Sequence, residues 1–218
     1  LIREDIDTKY ILKLQKTLEQ IQILKGENNK KIVYSHPKFV EPMLDYIIHD
    51  FQNSRISLNN NSIGGMVVCD SADQAKKMYE IFVNKYREDL LLKKENYHDK
   101  KLKDNFVKSA ALILHDVGGK DERKQEVENF KDGKIDLLFV YNMLLTGFDA
   151  PRLKKIYLGR VIKAHNLLQA LTRVNRTYED FRYGYVVDFA NIESEFEKTN
   201  KNYLSELQLE LGDDFKTY

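Results

Sequence analysis

Met66-Val67-Val68-Cys69 is a short apolar run, and residues 71–86 after it carry a helical pattern opened by Ser71 with Gln74 three positions on. That pair is the arrangement of a capping box, a serine and a glutamine satisfying each other's backbone at a helix start. The alternation repeats downstream. Apolar runs at 110–114, 136–141, 155–158 and 183–187 are separated by helical stretches, one through Val127 and Phe130 that stops at Gly133, another over about 166–175. Strands buried on both sides have no polar face and read as near-continuous apolar runs, and helices between them supply the crossovers. The expected class is α/β, a parallel sheet flanked by helices, over residues 63–191.

Upstream, Ile11, Leu14, Leu18 and Ile21 recur at helical spacing until Gly26 and Asn28-Asn29-Lys30-Lys31. Val40, Met43, Ile47 and Phe51 repeat the pattern after Pro37 and Pro42, and it runs out in Asn59-Asn60-Asn61-Ser62. Residues 1–62 are therefore expected to be a helical lead-in with no evident chemistry. The lysine-dense segment 87–108 suits a solvated helical insertion, and its interleaved acids weaken it as a groove for nucleic acid. Residues 192–218, with Phe196, Tyr203, Leu204, Leu207 and Leu211, are expected to begin a C-terminal helical region. Opening at Leu1 and directly in a helical pattern, the chain reads as a piece of something longer.

Composition bounds the function loosely. The 218 residues are 42% hydrophobic and 32% charged, a globular balance, and the formal net charge is +1, so any contact with nucleic acid has to come from a local patch. Cys69 is the single cysteine, inside an apolar run, which excludes a disulfide within the chain and fits an inert buried thiol in the cytoplasm. His36, His49, His98, His115 and His165 are scattered singly, so no metal site is expected. No apolar stretch is long enough for a membrane span.

Chemistry concentrates in two stretches. In the helix over about 166–175, Leu167, Leu171 and Val174 form one stripe, and Gln169, Arg173 and Arg176 a second. At about 100° per residue the two stripes lie roughly 200° apart. An apolar stripe docked on the sheet leaves a glutamine and two arginines aimed outward along one line. Arginine's planar fork grips phosphate oxygens better than lysine does. By spacing alone the row is equally well a solvated helix face, with Gln169 merely capping from Asn166.

Just upstream, the strand ending at Tyr141 runs into Asn142-Met143-Leu144-Leu145-Thr146-Gly147-Phe148-Asp149-Ala150-Pro151. Open α/β sheets place ligands at the carboxyl ends of their strands, where this glycine and carboxylate stand. Taken alone, the stretch is only a turn closed by proline.

Together the two segments resemble motifs V and VI of superfamily-two helicases and translocases. Gln169-Ala170-Leu171-Thr172-Arg173-Val174-Asn175-Arg176 matches the motif VI pattern at every position but one, Thr172 standing for glycine. That departure, with Thr146-Gly147-Phe148-Asp149-Ala150-Pro151, resembles the restriction (R) subunit of type I restriction enzymes in particular. The resemblance covers about residues 64–191, with a weaker motif IV-like strand at 66–71. It implies a RecA-like motor domain of an ATP-dependent DNA translocase. Arg173 and Arg176 would be catalytic, reaching a triphosphate held with Mg2+ by a preceding RecA-like domain. Gln169, Gly147 and Asp149 would line the cleft and couple it to DNA, and Thr146 would touch DNA. The implied partners are double-stranded DNA, the preceding motor and nuclease domains of the same chain, and methyltransferase and specificity subunits. Asn142 stands where the family has an aspartate.

A Gly-x-x-x-x-Gly-Lys-Ser/Thr loop is missing, since Gly118-Gly119-Lys120 lacks the spacing, and no nuclease core or nucleophile elbow is evident. Leu112-Ile113-Leu114-His115-Asp116 ends an apolar strand in an acid, but without a phosphate loop it is a strand end. The chain alone is therefore expected to be inactive. Two other readings stay open: another superfamily-two helicase domain acting in DNA repair or on RNA, and a non-catalytic α/β module whose arginine stripe binds an acidic protein.

Overall fold

Residues 2–4, 6, 8–25, 34–86, 105–145, 147–162 and 164–189 are described by a computed structural model. Their elements in chain order are β1 (Ile2–Glu4), α1 (Thr8–Lys25), α2 (Pro37–Ser57), β2 (Gly64–Val68), α3 (Ala72–Lys85) and β3 (Ala110–Ile113), then α4 (Lys120–Lys131), β4 (Leu137–Val140), β5 (Leu153–Leu158), α5 (Ala164–Val174) and β6 (Tyr185–Asp188). The six strands form one sheet in the order β1-β6-β5-β2-β4-β3, and every pairing is parallel. This is the α/β class read from the sequence.

Side chains alternate across the sheet, and each face has its own core. Val67, Cys69, Leu137, Phe139, Tyr157 and Val187 pack with Leu14 of α1, with Val40, Met43, Leu44, Ile47 and Phe51 of α2, and with Ala75, Met78 and Phe82 of α3. Met66, Val68, Leu138, Val140, Ile156, Leu158 and Val186 pack on the other face with Phe130 of α4 and with Leu167, Ala170, Leu171 and Val174 of α5. Burial of a full leucine side chain contributes about 1.5–3 kcal/mol. The apolar stripe of α5 is thus enough to fix which way that helix faces. Cys69 lies fully inside the first core, where burial pushes its thiol well above the ordinary range and leaves it unreactive.

The lead-in departs from a purely helical reading. Ile2–Glu4 join the sheet as β1 beside β6, a pairing across nearly the whole chain that local periodicity cannot reveal. Pro42 is inside α2, not before it; the helix starts at Pro37, and His36 caps it by accepting from the Lys38 amide at 3.2 Å. At α3, Ser71 Oγ accepts from the Gln74 amide at 3.1 Å, while Gln74 Oε1 accepts from the amide of Asp70, one residue outside the expected box. Residues 87–104 and 190–218, with the expected insertion and C-terminal helices, lie outside the described residues.

Two buried arginines tie the amino edge of the sheet together. Arg55 of α2 donates to the carbonyls of Phe106 and Ile63 at 2.9 and 2.8 Å and pairs with Asp136 at 2.6 Å, its guanidinium 4.8 Å from the Phe51 ring centroid. Arg152, just before β5, donates to the carbonyls of Ser62, Phe130 and Ile135 at 2.7–2.8 Å. Buried carbonyls at strand ends need donors, and these two side chains supply five.

Candidate functional site

Most connections between these parallel strands are helical. The one from β4 to β5 is not: it passes over the sheet as the stretch 141–152, with β2 lying between the two strands it joins. A crossover without a helix leaves its own carbonyls short of partners. Leu145, Phe148 and Ala150 sink into the α4–α5 core, and Phe148 packs against Phe130 with ring centroids 5.9 Å apart. Gly147 has φ +69° with open space around a hypothetical Cβ, so the backbone conformation, not crowding, favours glycine there. Leu144 also takes a positive φ, +64°, uncommon for a bulky side chain.

Helix α5 meets this stretch through its arginines. Arg173 donates from Nε to the Leu145 carbonyl at 3.1 Å and from Nη1 to the Phe148 carbonyl, so the side chain is half-buried across the crossover. Burial lowers its pKa, and the nearby Arg176 cation lowers it further. Arg176 pairs through Nη1 with Asp149 Oδ1, both groups being well exposed. The two sequence stretches singled out for their chemistry therefore touch, residue to residue. Gln169, one turn before Arg173, is half-buried. Thr172 is exposed and its hydroxyl donates to the Gln169 carbonyl at 3.0 Å.

The expected outward row is corrected in two ways. The helix ends at Val174, so Arg176 stands on the turn beyond it, and Arg173 folds down onto the crossover carbonyls. Thr146 lies outside the described residues. Among the described residues, no three histidine, cysteine or acidic side chains converge as metal ligands, and no helix is long and apolar enough to cross a membrane.

Three features were missed by sequence reasoning. Arg160, just past β5, stacks on Tyr141 with its guanidinium 4.8 Å from the ring centroid and donates to the Tyr141 carbonyl at 3.1 Å and to Asn142 Oδ1 at 2.8 Å. The amide of Asn142 can accept this bond as a carboxylate would, though without its charge. A cleft of about 350 Å³ at the same carboxyl edge is lined by Lys120, Arg123, Lys124, Val127, Met143 and Leu144, among others. Lys154 is fully buried under the end of α5 and donates to the carbonyls of Val174 and Arg176. Its signal was in the sequence: Lys154-Lys155 interrupts a strand whose other residues are apolar, where charge is rare unless held.

Comparison with known proteins identifies the family. The type I restriction enzyme subunit R domain 3 family matches residues 70–191. A protein of Methanocaldococcus jannaschii designated the MjaVIIP endonuclease subunit of a type I restriction enzyme is 28% identical over 203 residues, 87% of this chain and 18% of its own length. The HindI endonuclease subunit of Haemophilus influenzae, also from a type I enzyme, is 25% identical over 187 residues, 80% of this chain and 17% of its length. The chain thus spans less than a fifth of either relative. Among solved structures, a fragment assigned as an HsdR subunit of a type I restriction enzyme from Vibrio vulnificus YJ016 superposes with a TM-score of 0.48 at 14% identity. The match covers 91% of this chain and 32% of that one.

Proposed function

Because the chain belongs to the type I restriction enzyme subunit R domain 3 family, we propose that it is the RecA-like second motor domain of an ATP-dependent DNA translocase. In this reading it supplies motifs V and VI to an ATP cleft shared with a preceding domain. The observation that carries the reading is the contact of Arg173 with the crossover carbonyls and of Arg176 with Asp149. Helix and crossover form one unit, the end of α5 meeting the crossover where that stretch leads into the amino end of β5. Its outermost groups are the Arg176–Asp149 pair, whose guanidinium suits a phosphate oxygen. ATP and its Mg2+, held mainly by the preceding domain, would supply the transferable phosphoryl group.

The residues of this chain then have distinct tasks. Arg176, exposed and paired with Asp149, can exchange that carboxylate for a phosphate oxygen when the domains close. Arg173, half-buried, holds the crossover and brings its positive charge beside Arg176, where it stabilises negative charge developing in phosphoryl transfer. Gln169 orients the approach from one turn back. Gly147 and Asp149 pass the change in Arg176 to the stretch that faces DNA, and the exposed Lys120 and Lys124 of α4 offer cations of the kind a duplex backbone takes. Hydrolysis that needs domain closure is coupled to movement. The parent enzyme would work with double-stranded DNA, a nuclease domain in the same chain, and methyltransferase and specificity subunits.

In the full R subunit, Arg173→Ala is expected to lower DNA-stimulated ATP turnover by on the order of 10²–10³-fold while nucleotide affinity largely survives. Equal turnover by the two folded proteins would remove the arginine from catalysis and favour a binding module.

A further inference from the structure

We infer that Lys154 is a positioning residue for the arginine-bearing turn, fixing the end of α5 so that Arg173 and Arg176 meet the cleft in one orientation. The inference rests on the arginine reading above and extends it to a residue that touches neither nucleotide nor DNA.

Helices end with carbonyls that no amide in the next turn can reach, and these carry the negative end of the helix dipole. At α5 the Asn175 amide still bonds the Leu171 carbonyl at 3.1 Å. Beyond that point the acceptors at Val174 and Arg176 take the Lys154 ammonium, at 3.3 Å for Val174. Lys154 has 0% exposure. Burial is the cause that lowers its pKa, and no acidic side chain among the described residues offsets it. A methionine would fill the same space without desolvating a charge. What the lysine adds is directional: two donors that select where the carbonyls of 174 and 176 can sit, one on each side of Asn175 and both within the arginine turn.

The strand is built to deliver this side chain. Along β5, Lys154 falls in phase with Ile156 and Leu158, which pack on the α5 face of the sheet, so ordinary strand alternation aims its side chain under that helix. Lys155 points to the opposite face, where Asp50 at 2.7 Å, Ser54 at 2.7 Å and Glu4 of β1 at 2.5 Å hold it. The strand is thereby anchored from behind. Beside Lys154, just before β6, Gly184 meets the same turn: a Cβ there would lie 2.2 Å from the Val174 carbonyl oxygen. Side by side on neighbouring strands, the lysine and the bare glycine backbone fix how the turn seats on the sheet.

The test measures single-turnover ATP hydrolysis in the full R subunit with DNA, comparing wild type, Lys154→Met, Arg173→Ala/Arg176→Ala, and all three substitutions together. Lys154→Met should lower the rate by about tenfold, the scale of a misplaced catalytic group, with the half-saturating ATP concentration kept within about twofold. In the double-arginine background the same substitution should have no further effect, because its target is gone. Should the methionine protein not fold, Lys154→Gln, which retains an N–H donor, takes its place with a smaller loss expected. An unchanged rate in Lys154→Met, or a loss that persists undiminished without the arginines, overturns the inference while leaving the arginine reading intact. Wild-type turnover in the double-arginine protein overturns the arginine reading itself.

Discussion

Arg55 and Arg173 are both arginines spent on backbone carbonyls, and their surroundings separate them. Arg55 is 1% exposed, engaged by two carbonyls and Asp136, with no route to a ligand. Breaking a buried pair leaves the partner charge uncompensated, at a cost of about 3–5 kcal/mol. Arg55→Ala should therefore lower stability by that amount in urea unfolding, and by clearly more than Asn53→Ala on the exposed face of the same helix. A loss under about 1 kcal/mol would show that the Arg55 network is not what holds the amino edge of the sheet. Arg173, half-buried beside the exposed cation of Arg176, instead lies across the crossover near the surface.

Elements were legible where the signal was local. The run 66–69, the serine cap at 71 and the stop at Gly133 (φ +82°) sit in the structure where their residue types put them. The apolar stripe of α5 is buried as its spacing predicts. What escaped was made by distant partners. β1 exists because β6 accepts it, and α5 ends at Val174 with Lys154 and Gly184 against its last turn. Arg176 therefore falls off the helical row that its spacing implied. The crossover 141–152 was readable as a turn with a glycine and an acid, but not as the surface on which Arg173 lies. A substitution at Gly184 probes this level. Gly184→Ala forces a Cβ against the Val174 backbone, which cannot yield as a side-chain tip can, and should cost about 1–3 kcal/mol. Faster amide exchange at 173–176 should accompany the loss. An alanine protein as stable as wild type would show that the turn is not boxed in.

For the whole molecule, the six-stranded sheet is a platform: the crossover leaves the carboxyl end of β4 near the cleft at Lys120 and Met143 and reaches the amino end of β5, where the arginine turn meets it. There Arg173 and Arg176 lie against Leu145, Phe148 and Asp149, so a change at either arginine would reach the crossover directly. That proximity is what the proposed coupling requires. The account is tested most directly by the affinity of the full R subunit, with DNA present, for ADP and for ADP with aluminium fluoride, a mimic of the phosphoryl group in transfer. Transition-state contacts strengthen binding of the mimic and leave the ground state nearly unchanged. Replacing Arg173 and Arg176 by alanine should weaken the mimic by about 100-fold or more and ADP by less than about threefold. Equal weakening of both ligands, or of neither, would contradict a catalytic role for the arginine turn.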